Sequence, residues 1–451
     1  MRLRPLVFAF CAATAASPVA LAQMQLTSSG PSVSLESMSA GAGRSLSSKG
    51  IASGVKLGDE AILHAGVFAD IGYDSNVFYG SSQQTSAVLH VTPRLELTNA
   101  ERDGSVPGGA YYDLSASVDR RQYLSSDSAI TKQDAWNPTI GGTAEFSSGQ
   151  TLSLSLSDTF SRYQQAPYVD SDKADPITTD DNMASASLHF APGGGRLRVM
   201  LRYTNLINKY NGAYDTGSYM GNEGVLDVGW RWLPRTTIYA QVGQGAITYF
   251  NANAPPGSYP LRTLLGLRGL LTEKLAVNVA AGYSNAFYTR GENPSGLGNV
   301  GILAEVNYTM SLLSRAGLGY HHDFVNSPFV GSYYNMDAIY GAFQQMVASR
   351  VVTYLFGRFE NRRFGKVPGE DQSRVDNYVM GGVAIDYMIG KFFQAGASYS
   401  LNLNRTATAS TITERDSNGN PILDSNGNPI TTRSALDYTK HVLLFRVGLM
   451  Y

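Results

Sequence analysis

The sequence predicts an all-β protein, a transmembrane antiparallel up-and-down β-barrel of about 18 strands. Three features of the chain indicate this fold. Apolar and polar residues alternate in segments of roughly ten residues, and the connections between the segments are alternately short and long. The chain also ends on an alternating strand that closes with an aromatic residue.

Composition narrows the class of protein. Of the 451 residues, 43% are hydrophobic and only 16% are charged, whereas about a quarter is usual for soluble domains. The net charge is -1, so electrostatics gives no reason to expect nucleic acid as a partner. No run of about eighteen apolar residues follows the first segment, so a closed barrel is the structure that would satisfy its backbone in lipid.

The first residues predict export from the cytoplasm. Two arginines precede a short apolar stretch, and Ala20 and Ala22 form a cleavage site, so we expect residues 1–22 to be a signal peptide. Cys11, the single cysteine, lies inside that leader. Residues 23–58 are rich in Ser and Gly and are expected to form a flexible periplasmic segment, and residues 59–451 are expected to form the barrel.

The strands are predicted from repetition of one pattern. In RLRVMLRY, Leu197, Val199 and Leu201 alternate with arginines, and in TLSLSLSD leucines alternate with serines. About eighteen such segments are predicted to begin near residues 61, 87, 109, 135, 150, 182, 196, 220, 236, 261, 274, 298, 314, 334, 351, 376, 391 and 438. An even strand number with short turns on one side places both termini in the periplasm.

The last strand, KHVLLFRVGLMY, has one apolar face. Leu443, Phe445, Val447, Leu449 and Tyr451 have the same parity and share that face. We expect lipid to cover it, with Tyr451 at the periplasmic interface. This tail also resembles the C-terminal signal that the outer-membrane assembly machinery recognises, carried here by Phe445, Val447, Leu449 and Tyr451, although Tyr451 replaces the commoner phenylalanine. The lipid bilayer and that machinery are therefore the expected partners.

Two features fit the barrel less well. Arg120 falls on the lipid-facing parity of its strand, which is tolerable only at the rim of the membrane. The segment 334–347 is apolar on both faces, so its orientation stays open. A large soluble β-sandwich or propeller is the alternative fold, but its connections would not need to alternate between short and long.

A short motif in the first two strands indicates a family. The first strand leads into Tyr73, Asp74, Ser75, Asn76, Val77 and Phe78, and the second strand carries HVTPRLEL. This pattern resembles the β-barrel porin type 2 family of Gram-negative outer-membrane proteins, whose members are associated with exopolysaccharide export. The resemblance implies a location in the outer membrane and a periplasmic polysaccharide-export complex as a further partner.

Parity assigns charged and aromatic side chains to the lumen. The lumen-lining candidates are Asp70, Asp74, Arg94, Glu96, Arg196, Arg198, Arg202, Asp227, Arg231, Tyr239, Arg268, Glu305, Tyr354, Arg358, Glu360, Tyr378 and Arg446. Their signs balance, which predicts a weakly selective path. Alternatively, opposite charges pair across strands and stiffen the wall. The aromatic members would either offer flat faces to sugar rings or fill space near the wall.

The sequence does not indicate an enzyme, a metal site or a cofactor. His64 and His90 have the same lumen-facing parity on adjacent strands, but no nucleophile motif accompanies them. The repeated DSNGNPI sequences in the last long connection lack the full calcium-loop pattern and read as Asn-Gly turns. The preferred function is a conduit for exopolysaccharide secretion. The alternatives are a general diffusion porin for small solutes and a structural barrel with a plugged lumen.

Overall fold

The computed structural model describes most of the chain after residue 53. The described residues are 54–58, 61–99, 109–147, 150–165, 177–251, 254–290, 296–311, 313–327, 333–348, 350–366, 371–413, 422–424, 427–434 and 436–451. The signal peptide and nearly all of the expected periplasmic segment lie outside these residues.

The described chain is almost entirely strand. The strands are β1 (Val55–Leu57), β2 (Ala61–Asp74), β3 (Ser86–Thr98), β4 (Ala110–Leu124), β5 (Ala135–Phe146), β6 (Leu152–Gln165), β7 (Ile177–Phe190), β8 (Leu197–Tyr210), β9 (Tyr219–Leu233), β10 (Thr236–Tyr249), β11 (Leu261–Leu270), β12 (Leu275–Asn285), β13 (Val300–Ser311), β14 (Ser314–Asn326), β15 (Tyr333–Val347), β16 (Val351–Phe364), β17 (Val375–Ile389), β18 (Phe393–Thr408), β19 (Ser410–Thr413), β20 (Thr431–Ser434) and β21 (Tyr438–Met450). Short helical turns at Ser128–Thr131, Pro192–Gly195, Gly212–Gly217 and Gly296–Asn299 all lie in connections. None of these helices is long and apolar enough to cross a membrane.

The strands form a closed antiparallel barrel, as predicted. Each strand from β2 to β18 pairs with its sequence neighbours, and β21 pairs with both β18 and β2, which closes the sheet at eighteen strands. The short β1 extends the wall by pairing with the first residues of β2, and β19 and β20 form a separate hairpin in the last connection. The predicted fold class is therefore confirmed.

The register of the pairs sets the size of the barrel. A path around the wall starts at Gly66 and steps from each residue to its paired residue on the next strand, with each register continued past the strand ends where needed. After one full circuit, this path returns to β2 about 22 residues away from Gly66. Eighteen strands with that stagger tilt by about 40° and give a backbone radius of roughly 17 Å. A barrel of this width encloses a lumen and not a packed core.

Side-chain contacts identify the inner face of the wall. Arg262 on β11 meets Asp323 on β14 at 2.6 Å, although two strands separate them. Only the concave face brings together side chains from strands that are three apart, so this face points inward. The opposite face exposes the apolar side chains, including Phe445 and Val447.

The outer face carries an apolar band between two rows of aromatic residues. One row, at the end of the short turns, includes Phe146, Phe190, Trp230, Tyr308, Tyr387 and Tyr451. The other row includes Tyr73, Trp136, Tyr203, Tyr283, Tyr320 and Tyr399. On β21 the band runs from Leu443 to Tyr451, which is about 21 Å along the barrel axis at this tilt and is close to the apolar height of outer-membrane barrels.

The connections differ in length at the two ends of the barrel. Pro234 and Arg235 alone join β9 to β10, and Gly390 to Phe392 join β17 to β18. Residues 409–437, with the β19–β20 hairpin, connect β18 to β21 at the other end. The predicted start of nearly every strand lies within two residues of the observed one. The strand expected near residue 182 in fact begins at Ile177; its first residues, ITTDD, put the polar Thr178 and Asp180 on the outer face, where other strands carry apolar residues, so alternation did not reveal them.

Three local expectations are resolved or corrected. Residues 55–57 were expected to belong to an irregular segment, and they instead form β1. Arg120 does lie on the outer face near the rim, where its guanidinium is 3.5 Å from Asp134 and 5.1 Å from the centre of the Trp136 ring. The residues of β15 with even numbers, such as Met336 and Tyr340, face inward and are buried, which explains why both faces of this strand are apolar.

Candidate functional site

The inner face carries nearly all of the residues that parity assigned to the lumen. The inward positions include Asp70, Asp74, Arg94, Glu96, Arg198, Arg202, Asp227, Arg231, Tyr239, Arg268, Glu305, Tyr354, Arg358, Glu360, Tyr378 and Arg446. Arg196 differs, because it precedes β8 in the turn. Its guanidinium lies over the ring of the outward-facing Trp230, 5.0 Å from the centre.

Most inward charges are paired along the wall. On the seam, Arg446 meets Asp70 at 2.6 Å, and the two residues are direct partners in the β21–β2 register. Further pairs are Arg94–Glu96, Arg268–Asp227, Arg262–Asp323, Arg358–Glu360, Arg362–Glu360 and Arg374–Asp376. The balance of signs in the sequence therefore reflects local pairing, which was the alternative interpretation.

Aromatic rings pack against the paired guanidinium groups. Arg268 lies 4.4 Å from the centre of the Tyr239 ring, and Arg362 lies 4.2 Å from that of Tyr378. Tyr239 and Tyr378 are 1% and 2% exposed, and their hydroxyls donate hydrogen bonds to Asn278 and Asn402. These rings fill the wall, so they cannot offer free faces to a sugar.

The family motif lies at the extracellular end of the seam between β2 and β21. Its Asp74 is buried and accepts hydrogen bonds from the Asn76 backbone N–H at 3.0 Å and the Tyr123 hydroxyl at 3.0 Å. The Lys440 ammonium of β21 meets the same carboxylate at 2.7 Å and donates to the Asn76 carbonyl at 3.1 Å. A buried ion pair thus joins the first and last strands.

The neighbouring motif residues continue this link. The Asn76 side chain is fully buried, and its amide donates to the carbonyls of Gly80 at 2.8 Å and Thr439 at 3.1 Å. Ser75 exchanges two hydrogen bonds with His441 through its backbone N–H and its hydroxyl. We call Asp74, Ser75, Asn76 and Lys440 the seam clasp.

Apolar and aromatic contacts surround the seam clasp. Val77 packs with Val88, Tyr123 and Ile130. The Tyr79 ring lies 4.0 Å from the Lys440 ammonium, and burial raises the pKa of this tyrosine. The motif therefore forms a structural joint and does not line an open binding surface.

The C-terminal residue closes the periplasmic end of the same seam. Tyr451 exchanges backbone hydrogen bonds with Ala65 at 2.8 and 3.2 Å, and its ring stacks on Phe392 at 5.4 Å. Beyond this point β1 occupies the edge of β2, pairing Val55 with Leu63. The backbone of β2 is therefore paired on this edge almost to its start.

The two histidines with lumen parity do not form one site. His90 lies opposite Asp70 and its ring contacts Asp119 at 3.0 Å, whereas His64 lies opposite Glu96, six residues along β2. Among the described residues, no group of three or more His, Cys, Asp and Glu side chains has the arrangement of a metal site. In the second DSNGNPI copy, the Asn428 N–H donates to the Asp424 carboxylate at 2.9 Å.

Comparison with known proteins gives similarity at the level of architecture. No family model matches the chain, and no curated protein matches its sequence. Similar solved structures include the outer membrane protein opdK from Pseudomonas aeruginosa, with 9% identity and a TM-score of 0.41 over 86% of this chain and 99% of that one. OccAB3 from Acinetobacter baumannii gives 11% identity and 0.42 over 86% and 99%, and the FrpB iron transporter from Neisseria meningitidis gives 8% and 0.47 over 88% and 82%.

The properties of the barrel wall indicate where the protein is located. The closed sheet satisfies the backbone without water, the outer band is apolar and close in height to the band of outer-membrane barrels, and aromatic rows flank it. The inner face is polar and charged. These are the properties of an outer-membrane β-barrel protein.

Proposed function

We propose that this protein is a passive outer-membrane pore through which an exopolysaccharide leaves the cell. The observation that supports a pore is the width of the polar lumen. In the described part of the chain, every strand and helix lies in the wall or in a connection at its ends. A backbone radius of roughly 17 Å leaves a passage of about 20 Å after inward side chains are allowed for.

Part of the wall is suited to the passage of a hydrated polymer because it carries small hydroxylated side chains. On β6 and β7 several inward residues are small and hydroxylated, among them Ser153, Ser155 and Ser187, and Ser157 and Ser185, which share a 2.8 Å hydrogen bond. Such a wall offers hydrogen bonds to a hydrated chain without holding it strongly. Export of polysaccharide in particular rests on the resemblance of residues 73–78 to the porin family.

Two measurements test the proposal in sequence. Purified protein in a planar bilayer should give large conductance steps, and absence of conductance would refute the pore itself. Deletion of the gene should then remove surface polysaccharide while polymer or its lipid-linked precursor still accumulates inside the cell. A deletion strain that keeps its surface polymer but grows poorly on dilute small solutes would instead identify a general diffusion porin.

A further inference from the structure

Three inward arginines near the periplasmic end of β8 and β9 lie together without a carboxylate partner among the described residues; the inward Arg121 and Arg315 are instead bonded to the side chains of Gln164 and Gln344. Arg198 and Arg202 on β8 and Arg231 on β9 have no carboxylate within 4 Å in the described part of the chain, whereas Arg94, Arg262, Arg268, Arg358, Arg362, Arg374, Lys440 and Arg446 all do. Arg231 donates to the Gly194 carbonyl at 2.6 Å. The Nε atom of Arg202 is enclosed and has no acceptor.

The three arginines lie close together. Arg198 is the direct partner of Gly229, and Arg231 is the next inward residue of β9, so their Cβ atoms are diagonal neighbours at about 7 Å. Arg202 lies two inward positions above Arg198, about 13 Å along β8. Gly229, the inward residue between Arg198 and Arg231, has no side chain that could cover these arginines from the lumen.

The nearest carboxylates compensate this group only in part. Asp227 is held by two hydrogen bonds from Arg268, at 2.7 and 3.0 Å. Glu223, opposite Thr204, is a diagonal neighbour of Arg202 and offsets part of its charge. Arg198 and Arg231 are therefore the less compensated members, and together the three arginines leave a local positive surface at this end of β8 and β9.

We propose that Arg198, Arg202 and Arg231 form an anion subsite that guides an acidic polysaccharide, one bearing carboxylate groups, into the barrel from the periplasm. This inference rests on the proposed function and specifies the class of polymer. Guanidinium groups bind carboxylates through two parallel hydrogen bonds, and three of them spaced along the wall engage successive charged sugars of one chain.

The test uses the full barrel in a planar bilayer, with oligogalacturonate added on the periplasmic side. In the wild type, oligogalacturonate should interrupt the current at a concentration at least about tenfold lower than galacturonate monomer, because one chain engages several arginines. A neutral malto-oligosaccharide of equal length should not interrupt it at either concentration. The interruption should weaken as KCl is raised from 0.1 M to 1 M, because the Debye length falls from about 10 Å to about 3 Å.

Variants at the three positions provide the matched comparison. The R198Q/R202Q/R231Q triple variant should need at least about tenfold more oligogalacturonate than the wild type, and the corresponding triple lysine variant should lie between the two. Arg235→Gln removes one positive charge from the neighbouring turn, outside the lumen, and should behave as the wild type, whereas the single Arg198→Gln variant should already need more oligogalacturonate. If the triple variant does not fold, the R198Q/R231Q double variant, which keeps the enclosed Arg202, is measured in its place.

The outcomes separate this inference from the proposed function. A barrel that does not conduct refutes the pore. A barrel that conducts but does not distinguish oligogalacturonate from the neutral oligomer leaves the pore intact and refutes the subsite. Equal potency of monomer and oligomer refutes guidance of a polymer and indicates a site for small carboxylates.

Discussion

The buried ion pair of the seam clasp predicts a specific pattern of stability. The side chains of Lys440 and Asp74 are 6% and 5% exposed, so removing either partner leaves a charge in a site with little water. Breaking a buried pair in this way costs about 3–5 kcal/mol, whereas replacing both partners by uncharged side chains costs far less than the two single losses together. We expect Asp74→Asn and Lys440→Met each to cost about 3 kcal/mol or more, with a coupling of about 2 kcal/mol or more in the double variant.

The assay is unfolding in urea of the barrel refolded into lipid vesicles, followed by circular dichroism and by the heat-dependent shift in gel mobility. The control is Arg162→Met, which removes an ion pair of the same chemistry, 2.5 Å from Asp180, where the arginine side chain is 47% exposed. Surface pairs of this kind contribute about 0–1 kcal/mol, so the control should unfold near the wild-type urea concentration. If the two clasp substitutions are additive in the double variant, Asp74 and Lys440 do not act as a buried pair and the assignment of the clasp is wrong.

Three further predictions concern membrane placement, topology and assembly. Leu201→Arg puts a charge on the outer band and should cost about 2–4 kcal/mol in vesicle unfolding, while the same substitution at the inward Thr204, opposite Glu223, should cost clearly less; equal costs would contradict the assignment of faces. An epitope inserted between Ser81 and Ser82 should bind antibody on intact cells and one between Gly390 and Lys391 should not, and the reverse pattern would invert the barrel. Removal of Leu449 to Tyr451 deletes the backbone bonds to Ala65 and the Phe392 contact, so immunoblots should show little protein in the outer membrane and degradation in the periplasm; normal insertion would show that these residues are dispensable.

Alternation predicted strands well where the wall meets lipid. The band residues of β8 and β21 alternate because one side contacts lipid and the other faces the lumen, so parity identifies both the strand and its faces. The start of β7 was missed because the outward residues of Ile177–Asp181, Thr178 and Asp180, are polar, whereas the inward Ile177 and Thr179 are buried. Where the outer face of a strand stands above the apolar band, the alternation of apolar outward and polar inward residues is lost.

Pairing of charges could not be predicted from parity. Parity places Asp227 and Arg268 on the inner face, but their contact depends on the register of β9, β10 and β11, which the turn at Pro234 and Arg235 helps to set. Likewise, Tyr239 has the parity of a lumen residue but is buried beneath the Arg268 guanidinium. Side-chain packing decides whether an inward residue reaches the lumen or lies within the wall. The two-residue alternation of the sequence does not predict that packing.

The seam explains why a short motif at the end of the first strand has a structural role. Every other adjacent pair of strands in the barrel is joined by a connection at one end, whereas β2 and β21 are neighbours only through closure of the sheet. At the periplasmic end Tyr451 and then β1 continue the pairing of β2. At the extracellular end the backbone ladder stops near Asp74, and side chains replace it, because Asn76 donates to the Thr439 carbonyl and Lys440 meets Asp74. Because no turn connects β2 to β21, these two strand ends would otherwise separate. The residues of the seam clasp must therefore hold the ends together by side-chain contacts, a requirement that strand pairs joined by a turn do not have.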